Sequence, residues 1–290
     1  MFKRLTNITL LPQRYRLLTG IAAALYLGLS LLAWYFFGSV TLIFSLTVAL
    51  VLAILLSLAI FSKFRSIVDD LFDAHYRQVE ALFSIFNTLR LEEPLPPMRG
   101  WAVSPDFASL VIRLIREQKP TLMVEVGSGV STFLSALYLK QLDHGQMVSI
   151  EHDENYATAC RAHIAANGLE NVVTLIHAPL IRTTVDGDDW TWYDTKTLEE
   201  KLRSLPPIDL LIVDGPPFWV QALARYPALP VLFKYLDECA IVALDDADRE
   251  DERMIVSLWQ KRFSGFELEE APCEKGAVIF RRTVRDLQDG

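Results

Sequence analysis

Val124-Glu125-Val126-Gly127-Ser128-Gly129-Val130-Ser131-Thr132 is the stretch on which the reading of this chain turns. The apolar run Thr121–Val126 predicts a buried strand, and Val130–Leu142 predicts the helix that follows it. Glycines at 127 and 129 let the backbone turn tightly and let a ligand come close. A dinucleotide fingerprint, G-x-G-x-x-G, wants a third glycine at position 132, and Thr132 stands there. Glu125 sits just before the loop. Its carboxylate opposes a pyrophosphate and suits a cationic ligand.

Outward from this loop, strands and helices alternate. Ser104-Pro105-Asp106 predicts a helix start, with an N-cap, a proline in the first turn and an acidic residue after it; the helix runs to about Gln118. Met147–Glu151 is a strand, and Glu154–Asn167 a helix closed by Gly168. Val172–Ala178 and Ile208–Asp214 are strands, followed by a helical stretch inside Val220–Leu236. Cys239–Asp245 is a strand, Asp251–Phe263 a helix, and Phe266–Glu270 with Ala277–Arg281 a closing antiparallel pair. The expected fold class is α/β: a doubly wound, seven-stranded, mostly parallel sheet. No internal repeat or low-complexity tract interrupts it.

These motifs together resemble the class I S-adenosylmethionine-dependent methyltransferases over residues 100–282. In that family an acidic residue and G-x-G end the first strand, here Glu125 with Gly127, Ser128, Gly129, Ser131 and Thr132. The resemblance implies that Glu151, which ends the second strand in Val148-Ser149-Ile150-Glu151-His152-Asp153, holds the ribose hydroxyls of S-adenosylmethionine. A carboxylate suits that task because it accepts two hydrogen bonds at once. His177-Ala178-Pro179-Leu180 would border the adenine pocket, with Ala178 and Pro179 as contacts. The stretch Asp214-Gly215-Pro216-Pro217, then Ala224-Arg225-Tyr226-Pro227-Ala228-Leu229-Pro230, then Asp245-Asp246, is similar to the family-24-type methyltransferases, whose substrates are mostly small molecules and sugars.

The resemblance leaves two readings of the acidic strand ends open. Asp214, Asp245 and Asp246 match the trio that holds Mg²⁺ in metal-dependent O-methyltransferases, where hard oxygen ligands suit the ion. The alternative has Asp214 on the cofactor side and the other two in a solvated turn. Catechol-type enzymes carry a lysine three residues after the first aspartate; Pro217 stands there, so a general base is not assigned by the match. Asp214 and His152 are the candidates, and His152 also lies beside the cofactor as a neighbour of Glu151. Arg225 and Arg249 are read either as partners of an anionic acceptor or as structural partners of the aspartates. Trp190, Trp192 and Tyr193 follow an Asp186-Gly187 turn and are read either as an acceptor wall or as a packed hairpin.

Upstream the character changes. Residues 17–62 carry no charge: 46 residues, or about 69 Å as one helix at ~1.5 Å per residue. A hydrocarbon core is about 30 Å thick, so the run must fold back. Gly38-Ser39 is the expected turn between spans Leu17–Phe37 and Val40–Phe61. A cleaved signal peptide is excluded by the length of the run and the second stretch that follows at once; a hairpin that dips in without crossing stays open. Lys3, Arg4, Arg14 and Arg16 before the run and Lys63 and Arg65 after it put both ends in the cytoplasm. Apolar residues at helical spacing from Phe64 to Leu91 predict an amphipathic connector, with no heptad run long enough to prefer a dimerising coiled coil, though a homodimer stays open. Pro94, Pro96 and Pro97 end it. The expected divisions are 1–62 (tail and transmembrane hairpin), 63–97 (connector and linker) and 98–290 (methyltransferase domain).

Charge supports the division. Residues 1–65 hold six basic and no acidic residues; the whole chain is −8, which leaves −14 for residues 66–290. An acidic domain argues against nucleic acid as a partner, because phosphate contacts need surplus lysine and arginine. Cys160, Cys239 and Cys273 show no metal or disulfide spacing and are expected as small core residues of a reducing compartment. The expected function is O-methylation of a small-molecule, sugar or lipid-linked acceptor at the bilayer. The alternatives are a nicotinamide-dependent oxidoreductase, which Thr132 and Glu125 oppose, and a non-catalytic membrane scaffold that retains the fold.

Overall fold

The structure is a computed structural model, and it describes residues 13–91, 95, 97, 98, 100 and 102–283. The chain divides into two compact units, Met1–Phe72 and Asp73–Gly290.

The first unit is helical. Helix α1 (Gln13–Phe37) ends at Gly38, whose φ of +79° lies in the left-handed region that glycine tolerates, and helix α2 (Ser39–Thr88) begins at once. The Thr41 hydroxyl donates to the Gly38 carbonyl at 2.7 Å, and the Tyr26 hydroxyl donates to the Ser45 carbonyl across the turn. Both helices are long and apolar enough to cross a membrane, and their apolar side chains, Leu29, Phe37, Phe44 and Leu56 among them, are exposed. The turn at Gly38-Ser39 is as expected from the sequence. The separate connector helix is not: α2 is one unbroken helix of 50 residues, about 75 Å long at ~1.5 Å per residue. No proline or glycine lies between Ser39 and Thr88, so nothing in the backbone chemistry stops the helix where the side chains turn polar. Lys3, Arg4, Pro94 and Pro96 lie outside the described residues. The contacts divide the chain at Phe72/Asp73, within α2.

In the second unit, Ile85 and Leu89 at the end of α2 are buried with Phe107, Leu110 and Val111 of helix α3 (Pro105–Gln118). Helix α3 starts at Pro105 as expected, but the Ser104 hydroxyl donates to Asp106 Oδ1 at 2.7 Å and does not cap the helix. There follow β1 (Leu122–Val126), α4 (Val130–Leu142), β2 (Gln146–Glu151), α5 (Glu154–Ala166), β3 (Val173–His177), β4 (Leu180–Val185), β5 (Asp188–Tyr193), α6 (Thr195–Leu202) and β6 (Ile208–Val213). The chain then runs through α7 (Ala228–Leu232) and a 3-10 turn (Phe233–Tyr235) to β7 (Leu236–Asp245), α8 (Glu250–Arg262), β8 (Phe266–Ala271) and β9 (Ala277–Arg282).

Seven strands form one sheet in the order β3-β2-β1-β6-β7-β9-β8, with β4 and β5 a separate antiparallel hairpin. Neighbours from β3 to β7 are parallel, and β9 runs antiparallel to both β7 and β8. Apolar side chains leave both faces. Met123, Leu210 and Ile212 pack with α3 and α4; Leu122, Val124 and Leu211 pack with α6, α7 and α8. Burial on both faces is why these strands read as continuous apolar runs. The sheet is doubly wound, and order reverses between β1 and β6.

The helical stretch expected inside Val220–Leu236 is α7 with the 3-10 turn after it. One expectation needs correction. Cys239 is exposed near the start of β7, and Cys160 and Cys273 are half-buried, so none is a fully buried core residue; all three are free thiols.

Trp259 of α8 is fully buried, donates from Nε1 to the Tyr226 carbonyl at 2.9 Å and meets the Phe280 ring edge-on at 5.6 Å. Trp259→Ala is expected to cost about 3–5 kcal/mol of stability, as removal of a large buried aromatic does. Urea unfolding followed by circular dichroism checks it; a loss under about 1 kcal/mol would contradict this packing.

Candidate active site

The loop after β1 and the loop after β6 leave the sheet side by side at the point where strand order reverses, the place where open α/β sheets form ligand sites. Gly127 has φ of +97° and donates to the Ile150 carbonyl at 3.0 Å. A Cβ on it would lie 3.0 Å from the Gly215 nitrogen and 3.1 Å from the Asp214 carbonyl carbon. Glycine is required at 127 by the protein's own backbone. Gly129 differs: its φ of −177° is ordinary extended backbone, and a built Cβ meets only Ser131 Oγ, at 3.8 Å. The free space of this loop therefore lies at Gly129.

Thr132, in place of the third glycine, organises the loop. Its hydroxyl accepts the Gly129 N–H at 2.9 Å and donates to Glu125 Oε2 in a very short bond. Ser149 of β2 donates to the same oxygen at 3.0 Å and lies 2.7 Å from Ser128 Oγ. Glu125 is wholly buried, and burial pushes its carboxyl up to about 7 against the opposing pull of the Ser131, Thr132 and Ser149 hydroxyls. Its carboxyl is thus sealed inside the protein, where it braces the loop.

Glu151 ties the loop to the end of β2. Its Oε1 accepts the backbone N–H groups of His152 and Asp153, both at 2.8 Å, and its Oε2 accepts that of Ser128 at 3.2 Å. Burial opposes its charge, but the bonds from His152 and Asp153 outweigh that and hold the carboxyl below its usual range. His152 keeps Nδ1 2.9 Å from Glu151 Oε1 and meets the Tyr193 ring edge-on at 6.0 Å. Ala178 is buried and donates its N–H to the Glu151 carbonyl at 2.8 Å; Pro179 is exposed and accepts the Asp194 N–H at 3.0 Å.

The tryptophans after Asp186-Gly187 belong to a packed hairpin. Trp192 and Tyr193 are fully buried, and Trp190 stacks on Tyr226 at 5.0 Å. Tyr193 nevertheless reaches the site. Its hydroxyl has no hydrogen-bond partner among the described residues, and a Cβ on Gly215 would come within 2.5 Å of it. A buried phenol left unpaired at a strand-end cleft is an unmet polar group of the kind a bound ligand satisfies.

Across β1 from Glu151 lie the aspartates. The structure brings Asp214, Asp245 and Asp246 together, one carboxylate oxygen of each within 4.8 Å of the others. Arg225 joins them. Its Nη2 is 3.0 Å from Asp214 Oδ1 and 2.8 Å from Asp246 Oδ2, and its Nη1 donates to the Asp245 carbonyl at 2.9 Å. Arg249 Nη1 is 2.8 Å from the same Asp246 oxygen, and Lys275 Nζ is 3.9 Å from the other. Glu252, unsuspected in the sequence, approaches Arg225 Nε at 3.8 Å. Burial raises Asp214 to about 6 despite the pull of Arg225, and burial with the neighbouring carboxylates raises Asp245 well above its usual value. The oxygen donors have the right chemistry for Mg²⁺, but the guanidinium already bridges one oxygen of Asp214 and one of Asp246, a poor fit to a dication in the same place. Asp245 and Asp246 are 1% and 2% exposed, which overturns the reading of them as a solvated turn. His152, with β1 between its strand and β6, is roughly 10 Å from this cluster at ~4.8 Å per strand.

The sheet order is that of the class I methyltransferase fold. Residues 124–247 match the model of a family described as a methyltransferase domain, and the chain is an enzyme of the methyltransferase class. Among curated proteins none matches the sequence. Of solved structures, an SAH-bound methyltransferase of Podospora anserina is 16% identical with a TM-score of 0.50, covering 72% of this chain and 88% of that one. An O-methyltransferase of Streptomyces achromogenes in complex with SAM is 17% identical with a TM-score of 0.48, covering 63% and 82%.

Because folding raises the Glu125 carboxyl from 4.5 to about 7, its neutral form is favoured in the fold. The associated stability is complete below about pH 4.5 and is lost as pH rises through about 7. Glu125→Gln, which keeps shape and removes the charge, is therefore expected to gain on the wild type by up to about 3 kcal/mol between pH 4.5 and pH 8. Denaturant unfolding of both proteins at the two pH values checks it, and parallel pH profiles would show that Glu125 ionises freely.

Proposed function

We propose that this chain is a membrane-anchored methyltransferase that uses S-adenosylmethionine to methylate an oxygen of a small-molecule, sugar or lipid-linked acceptor. The observation that carries the cofactor reading is the free space at Gly129 beside a buried carboxylate, Glu151, that already gathers three backbone N–H groups. Oε2 of Glu151 accepts only the Ser128 N–H, so it retains capacity for a ribose hydroxyl. Ser128, Ser131 and Thr132 shape the loop, Ala178 and Pro179 border the side toward β3, and the unpaired Tyr193 hydroxyl is available to the ligand. The same arrangement speaks against a nicotinamide dinucleotide: Thr132 fills the place of the third glycine and is bonded to both Gly129 and Glu125.

S-adenosylmethionine would supply an electrophilic methyl group on a sulfonium. The protein's share is alignment, exclusion of water and removal of the acceptor's proton. Asp214 is the base we assign: it lies at the cofactor rim, and at about 6 its carboxyl accepts a proton more readily than an ordinary aspartate. His152, held against Glu151, serves the cofactor side. Helices α1 and α2 support anchoring through their length and exposed apolar surface, and the flanking lysines and arginines support cytoplasmic placement of both ends.

Glu151→Ala is expected to weaken S-adenosylhomocysteine binding by about 1–3 kcal/mol, measured by isothermal titration on the folded variant. Unchanged affinity would remove Glu151 from the cofactor site, and binding of NAD in its place would favour the oxidoreductase. For topology, a reporter fused after Gly290 is expected to behave as cytosolic; accessibility to protease added outside intact cells would reverse the assignment.

A further inference from the structure

We propose that Arg225 is the resident cation of the strand-end carboxylate cluster, and that this methyltransferase site takes no divalent metal. The aspartates that would ligate an ion are present and close, yet the guanidinium already serves them. One nitrogen spans Asp214 and Asp246 at 3.0 and 2.8 Å, and a second is fixed to the Asp245 carbonyl at 2.9 Å. The side chain is 4% exposed, so this is an internal group and not a surface arginine that swings aside. Arg249 and Lys275 add positive charge at Asp246. Four carboxylates, those of Asp214, Asp245, Asp246 and Glu252, thus face three cations, a nearly balanced set that leaves little negative potential to draw in Mg²⁺.

Geometry adds a second barrier. Mg²⁺ demands oxygens at about 2.0–2.1 Å in near-octahedral order. Asp214 Oδ1 and Asp246 Oδ2, the two oxygens that Arg225 holds, could join such a point only by releasing it, which would leave a guanidinium buried beside a dication; Asp246 Oδ1 is the oxygen of that residue without a hydrogen bond. Losing the partners of a buried charge is strongly unfavourable. An arginine also differs from an ion in function. It has a single charge and a fixed plane, so it orients Asp214 and pins the segment after β6 to the end of β7, but offers no open coordination position to an acceptor oxygen. Arg225 is therefore a positioning residue for Asp214. This rests on the cluster alone and holds whatever the acceptor is.

The test uses the full chain in detergent and Mn²⁺ as probe, with free Mn²⁺ followed by electron paramagnetic resonance. Wild type is expected to show no saturable binding up to about 1 mM, the weak end of protein divalent sites, and EDTA is expected to leave its melting temperature unchanged. Arg225→Met, of similar length without charge, is expected to acquire one Mn²⁺ site, which Asp246→Asn in the same background removes. One Mn²⁺ bound by wild type and lost in Asp246→Asn would overturn the proposal, as would a folded Arg225→Met that binds none. Should Arg225→Met fail to fold, the wild-type titration decides by itself.

Discussion

The site depends on two glycines that touch. Gly127 and Gly215 carry the chain out of adjacent parallel strands, and neither backbone leaves room for a side chain on the other: a Cβ at 127 would lie 3.0 Å from the Gly215 nitrogen, and one at 215 would lie 3.0 Å from the Gly127 Cα. The ladder continues one step past the strands, through the Asp214 N–H to the Val126 carbonyl at 2.9 Å. Because the loops meet without a spacer, the glycine loop and the acidic cluster form one connected structure. Shifting one shifts the other.

Charge is then arranged on either side of that contact in two ways. On one side, Glu125 is surrounded by hydroxyls and has no cation, so burial dominates and it holds its proton up to about neutral pH. On the other, the aspartates share Arg225, Arg249 and Lys275, and attraction offsets much of the desolvation. A network of that kind is weak evidence for stability as such; a well-packed apolar replacement is often as good. What it supplies here is position, since one guanidinium fixes the ends of β6 and β7 and the segment between them.

Much of this was legible from the residues. Strand-end acids followed by glycines, at spacings that alternate with helical runs, report local backbone geometry, and local geometry is what a sequence shows most directly. The parallel core, the glycine loop and the clustering of Asp214, Asp245 and Asp246 were read on that basis. Other features depend on contacts distant in sequence. Gly127 was read as making room for a ligand, but its constraint comes from Gly215, 88 residues away by number. The partner of Glu125 on β2, Ser149, and the unpaired Tyr193 hydroxyl carry no local signature. Arg225 was seen with two roles open, and only its burial among three carboxylates decides between them. The single helix α2 was divided in two because composition changes along it while backbone preference does not.

The place of β9 has a consequence for biosynthesis. It is made after β8 yet lies between β7 and β8 in the finished sheet. While the chain is being made, β8 has no strand to join: its only partner in the sheet is the segment that follows it. At the usual pace of 5–20 residues per second, the 17 residues from Phe266 to Arg282 take about 1–3 s to appear. For that interval the free edge of β7 stands open to any other strand. A nascent chain of this protein is most open to mispairing just before its last strand arrives, and a chaperone that shields that edge would act in those seconds.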